Sequence, residues 1–245
     1  MILRRIRAHV EAENWFAVFL DFAIVVLGVF IGLQVANWNE ARTDAQRAER
    51  LKERLRVEFI EIEVEHLRHL RDTMQWRDAA VDFGKEILAG MVSTEYRDLS
   101  ARIERIQSFR AGHGPSTTFQ EIVSQGDIDL LHPPALRDAL IAYNVAAERQ
   151  RHARSTIWGS LSFESPLLRL ERLAAVPAPD RPDAYQAEMD AILRSPDIFI
   201  ETGTNEITHE GSLVWFEYSR VRVCDVLEAL GETCRPSPLD AETAP

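Results

Sequence analysis

The residues best equipped for chemistry in this chain of 245 are its histidines and carboxylates. Glu63, His66 and His69 form an E-x-x-H with a second imidazole three residues on. On a helix, one carboxylate and two imidazoles would share a face there, as in the metal sites of helical bundles. A dimetal site needs a second such motif and two further carboxylates. Glu148 with His152, and His209 beside Glu210, are separate fragments. The expectation for Glu63, His66 and His69 is therefore a solvated charged face, with metal ligation as the alternative. His113, between Gly112 and Gly114, reads as a turn residue. No serine or cysteine lies in a nucleophile motif, so no residue is assigned a catalytic role and no cofactor is expected.

Asp21 raises a different question, because it lies inside the most apolar stretch of the chain. From Trp15 to Trp38 no lysine or arginine occurs, and only Asp21, Gln34 and Asn37 are strongly polar. At about 1.5 Å per residue the two tryptophans stand roughly 35 Å apart, which suits a hydrocarbon slab of about 30 Å with an aromatic anchor at each edge. The segment reads as a membrane span. At 100° per residue Asp21, Gly28, Gly32 and Asn39 fall within about 20° of one line, and Gly28 and Gly32 form a small-xxx-small pair that lets helix backbones approach. This seam predicts a homo-oligomer through the span. An aspartate facing lipid would cost up to about 2.5–3.5 kcal/mol at mid-membrane, so a place on the seam, proton handling, or the N-cap of a shorter span beginning at Phe22 are its three readings.

The head, residues 1–14, carries Arg4, Arg5 and Arg7 and no cleavage site follows the apolar run, so the span is expected to be an uncleaved signal anchor. Head and span hold three basic and three acidic residues, leaving the whole net charge of −11 in the remainder. Nucleic acid and anionic headgroups, which require clustered Lys and Arg, are set aside as partners of that acidic part. Six basic residues between Arg42 and Arg56 oppose the head in setting orientation. The short head, together with Cys224 and Cys234, near enough in sequence to pair in an oxidising compartment, favours a cytoplasmic N-terminus and a periplasmic C-terminal domain. Two unpaired thiols are the alternative for the cysteines.

Beyond the span, residues 39–50 lack large apolar side chains and helix breakers, and read as a helical stalk supported by pairs such as Arg54–Glu58 further on. Apolar spacing close to 3.6 residues runs from Leu51 through Phe59, Ile62 and Leu70 towards Ile87, where Gly90 stops the helix. Further helices are expected over Glu95–Phe109, from a capping box at Thr117–Gln120 to Gly126, from Pro133 and Pro134 towards Phe163, over Ala184–Leu193, and over Ser212–Leu230 with Gly231 as its cap. Residues 127–131 read as a turn or extended segment, and Asp197–Gly211 has no clear pattern. Residues 51–234 thus form an all-α helical-bundle domain, and residues 235–245 a disordered tail.

Gly28 to Glu40, GVFIGLQVANWNE, resembles the opening of an uncharacterised family of bacterial single-span membrane proteins whose members read G-I-L-I-A-L-Q-I-N-N-W-N-E, with an acidic residue seven positions earlier, here Asp21. A second block, Ser116 to Ile122 followed by Gly126, Leu130-Leu131 and Leu136 to Tyr143, is similar to that family's S-T-[FY]-x-E-[IL] segment. Gly32, Ala36 and Asp21 depart mildly from the family pattern. The resemblance implies the bacterial inner membrane and a single span, and brings no activity with it. The expected function is a membrane-anchored interaction or scaffold protein with an unidentified membrane or periplasmic partner. A ligand-binding sensor-like domain, and a subunit of a proton-driven complex using Asp21, are the alternatives.

Overall fold

A computed structural model of the chain describes residues 15–93, 95–158, 165–176, 180 and 182–242. Among them the regular structure is helical, with no strand. We number the helices α1 (Trp15–Ala89), α2 (Tyr96–Gln107), α3 (Thr117–Gln125), α4 (Pro134–Trp158), α5 (Pro166–Ala174), α6 (Asp183–Arg194), α7 (Pro196–Ala229) and α8 (Pro238–Glu242). A 3-10 turn at Asp127–Leu130 joins α3 to the loop before α4. Two compact units divide within α1, between Arg50 and Leu51.

In the first unit, the apolar side chains from Phe19 to Val35 stay exposed around the helix, and none of its most apolar window is buried. This is the one helix among the described residues long and apolar enough to cross a membrane. By length and composition it is a candidate membrane span. Trp38 is exposed, with the Arg42 guanidinium 5.9 Å from its ring centroid. The basic head lies outside the described residues, as does the side chain of Trp15.

In the second unit the rest of α1 is the wall on which the shorter helices assemble. Its Leu51, Leu55, Phe59 and Ile62 pack with Phe119 and Ile122 of α3, Leu136, Leu140 and Tyr143 of α4, and Val223 to Leu227 of α7. Phe59 meets Tyr143 edge-on at 4.9 Å. Further along, Ala80 and Phe83 pack with α2, α5 and α6 through Ile103, Leu170 and Met189. Each fully buried Leu, Ile or Phe contributes about 1.5–3 kcal/mol, so the 3.6-residue spacing on α1 is what holds the wall in place.

Gly231, at φ 84°, closes α7 because only glycine takes that backbone without strain. Its N–H donates to the Glu228 carbonyl and the N–H of Glu232 to that of Leu227, the paired bonds of a Schellman ending. The reversal brings Cys234 back to Cys224, their Cα atoms 5.3 Å apart and their sulfurs joined.

Several elements differ from expectation. α7 starts at Pro196, sixteen residues before Ser212, so the unpatterned stretch Asp197–Gly211 is helix. Thr202, Thr204, Thr208 and Ser212 each donate a hydroxyl to the carbonyl four residues back, which satisfies their side chains without breaking the helix. α5 was not anticipated as a separate helix. The N-cap of α3 is Ser116, one residue before the expected box, its Oγ accepting the Phe119 N–H at 3.1 Å. The tail expected to be unstructured folds back instead. Ser237 is buried with its hydroxyl on Glu217 at 2.7 Å, and Leu239 packs against Leu70, Leu213 and Phe216. The end near Phe163 expected for the helix begun at Pro134 lies outside the described residues, as do Pro177 and Pro179 of the proline-rich loop.

Candidate functional site

The face of α1 that carries Glu63, His66 and His69 is covered, not solvated: their exposures are 3%, 1% and 7%. The reason is register. His66 and His69 fall on the same stripe as Ile62, Leu70 and Thr73, which α7 and the loop between α2 and α3 bury. That loop delivers His113, held by the Tyr143 hydroxyl donating to the Gly114 carbonyl at 3.0 Å. The His113 ring stacks on both others, 5.2 Å from His66 at 26° and 5.7 Å from His69 at 16°. Phe216 of α7 lies 5.4 Å from the His69 ring on another side.

Hydrogen bonds fix part of this cluster. His66 donates from Nδ1 to the Ile62 carbonyl at 2.9 Å, leaving its buried Nε2 without a partner; His69 Nδ1 is likewise buried and unpartnered. His113 Nε2 stands 2.6 Å from Glu65 Oε2, in ion-pair range but out of line for a hydrogen bond. Burial lowers the His66 imidazole to about 4, with His113, His69 and Arg220 adding to the effect against the Ile62 bond. His69 is also lowered to about 4, by burial first and then by His113 and Arg110, against Glu65 and Asp72. At neutral pH both rings are uncharged.

Three imidazoles are the usual raw material of a metal site, but the geometry is wrong for one. Imidazole lone pairs lie in the ring plane, so the His113 ring stacked over the other two does not aim its lone pair at a point they share, and His66 and His69 are tilted by 41° at 6.4 Å. Glu63 is committed elsewhere, its Oε1 accepting the Arg235 N–H at 2.6 Å and its Oε2 lying 3.7 Å from Arg235 Nε. Among the described residues no group of three His, Cys, Asp or Glu side chains is disposed to hold a metal ion. Glu63, His66 and His69 are neighbours in the core and do not converge.

A second polar constellation explains the Ser116–Ile122 block. Glu58 of α1 accepts from Ser116 Oγ at 2.9 Å, Thr117 N at 2.8 Å, Thr117 Oγ1 at 3.1 Å and Thr118 N at 3.3 Å. A carboxylate on the free amides of a helix N-terminus meets both unpaired donors and the positive end of the dipole. Asn144 of α4 accepts the Ser116 N–H at 2.9 Å, taking the part a glutamine in a capping box would play. The anticipated Arg54–Glu58 pair gives way to this arrangement, and Arg54 reaches Glu121 of α3 at 3.1 and 2.5 Å. Glu201 of α7 repeats the device on α5: it accepts Leu167 N at 2.9 Å and the hydroxyl of the N-cap Ser165.

No family model, curated protein or solved structure matches the chain. The assignment of roles therefore rests on geometry. Asp21, Gly28, Gly32 and Asn39 all lie on the exposed first part of α1, and nothing stands within 4 Å of a Cβ placed on either glycine. His152 is exposed on α4, whereas His209 is buried on α7 with Nε2 donating to the Ile106 carbonyl at 2.9 Å. Sequence reasoning missed His113, Glu201 and Arg235 as partners. Only the glycines around His113 signalled a chain path tight enough to lay a ring against α1.

Proposed function

We propose that this protein is a membrane-anchored scaffold: the first part of α1 sits in a bilayer and the acidic helical domain is presented to a protein partner. The observation that carries the reading is the apolar helix surface from Phe19 to Val35, whose side chains are exposed among the described residues. Burying such side chains in an apolar medium is worth on the order of 1.5–3 kcal/mol each, far more than Asp21 costs. The resemblance of Gly28 to Glu40 to a bacterial single-span family supports the same architecture. The short arginine-bearing head and the Cys224–Cys234 bridge support a domain on the oxidising side.

The domain suits presentation because several of its charged side chains join one helix to another. Glu58 and Glu201 each clasp a helix N-terminus, and Arg102 pairs with Glu86 from α2 to α1. These links fix α2 and α3 on α1, and α5 on α7. Within the bilayer, the line through Asp21, Gly28, Gly32 and Asn39 faces a second copy.

Extraction tests the anchor. The full chain should remain in the membrane pellet after alkaline carbonate treatment, and a variant lacking residues 15–38 should be released. Release of the intact chain by carbonate would overturn the proposal.

A further inference from the structure

α7 has two faces that repeat every seven residues, and among the described residues only one is packed inside the chain. Thr202, His209, Phe216 and Val223 are buried at intervals of seven residues. On the other side Ile200, Ile207, Val214 and Val221 also recur at intervals of seven, exposed by 62, 74, 70 and 41%. Gly211 and Tyr218, four residues after Ile207 and Val214, are exposed on the same line. The spacing of 4, 3, 4 and 3 residues is the heptad of a helix-pairing seam and not the broader stripe that packs a helix onto a bundle. No Cβ at Gly211 would meet an atom within 4 Å. A second helix can therefore approach closely at the centre of the line.

We propose that this face of α7 is a dimerisation seam occupied by α7 of a second copy of the chain, the two helices running parallel. Charge selects that occupant and direction. On one flank of the seam stand Glu210 and Glu217; on the other, five residues after Glu217, stands Arg222. Within one copy Glu217 accepts from Arg220 and Ser237, and Arg222 donates to Asp225. In a parallel pair each Glu217 also comes opposite the Arg222 of its partner across the seam, the pairing that sets partner and direction in two-stranded coiled coils. An antiparallel pair sets the Glu210 and Glu217 edge against itself. The exposed apolar side chains of the seam, with Trp215 beside it at 42% exposure, amount to on the order of 700 Å² per copy, within the range of a stable protein interface and more than most monomers leave uncovered.

The inference stands on α7 alone and does not require the membrane anchor. Its test uses the full chain in membranes, with Ile207→Cys, Val214→Cys and, as a control of equal exposure on α1, Leu88→Cys. Mild oxidation should join two copies through residue 207 and through residue 214, at yields at least tenfold above that of the Leu88 variant. Each position should pair with itself, and co-expressed Ile207→Cys and Val214→Cys should give no excess of mixed dimer. A mixed dimer in excess would overturn the parallel seam, and yields at the Leu88 level, or a product containing another protein, would overturn the second copy as occupant. A dimer held by the span alone gives no bond at residue 207, so the seam can fail while the anchored scaffold stands.

Discussion

Burying an imidazole makes it a poor base and makes the fold sensitive to acid. His66 and His69 titrate near 4 in the folded chain against 6.5 for an ordinary histidine, and burial lowers His209 too. Between those values the unfolded chain binds protons that the folded chain refuses. Stability should therefore be level above about pH 7, fall as pH drops through 6.5, and have lost the whole imidazole contribution near pH 4. Glu121 and Glu217 have lowered carboxyl groups whose loss acts only below about 4.5, so the window from about 5 to 6.5 belongs to the histidines. Denaturant unfolding of the solubilised chain across that window should show the slope, and His66→Leu should flatten it. A slope unchanged in the variant would mean that His66 is not one of the groups responsible.

At the scale of elements, the clasp by Glu58 joins α1 to α3 through four hydrogen bonds, and a carboxylate there does what a neutral amide does less well. Glu58→Gln should cost about 1–3 kcal/mol of unfolding free energy, read from denaturant midpoints, with helix content unchanged. No shift in the midpoint would show that the bonds merely replace equivalent ones to water. The same scale shows what the sequence made legible. α1 and its end at Gly90, α2, and the stops at Gly126 and Gly231 follow from apolar spacing and from glycines whose positive φ ends a helix. The first half of α7 was illegible because Thr202, Thr204 and Thr208 favour turns locally, and only their bonds to the preceding turn reconcile them with a helix. Its two faces, each repeating every seven residues, also cancel the one-sided pattern by which a surface helix is usually read. The cap of α3 was displaced by one residue because its partners, Glu58 and Asn144, come from other helices. The histidine cluster was hidden for a related reason: His113 reaches His66 and His69 across more than forty residues of chain, and no local spacing encodes that contact.

For the whole molecule, an exposed apolar helix and a separately packed acidic domain share one chain, and the two make opposite demands on their surroundings. In the anchored scaffold proposed above, a bilayer would meet the first and water the second. Which side the domain occupies decides whether Cys224 and Cys234 are kept joined by an oxidising compartment or opened by a reducing one. Fusion of alkaline phosphatase after Thr243 measures the side directly, because that enzyme acquires its own disulfides and activity only outside the cytoplasm. The account predicts an active fusion, and non-reduced protein from the same cells in which neither Cys224 nor Cys234 reacts with an alkylating agent. An inactive phosphatase together with two alkylated cysteines would contradict it.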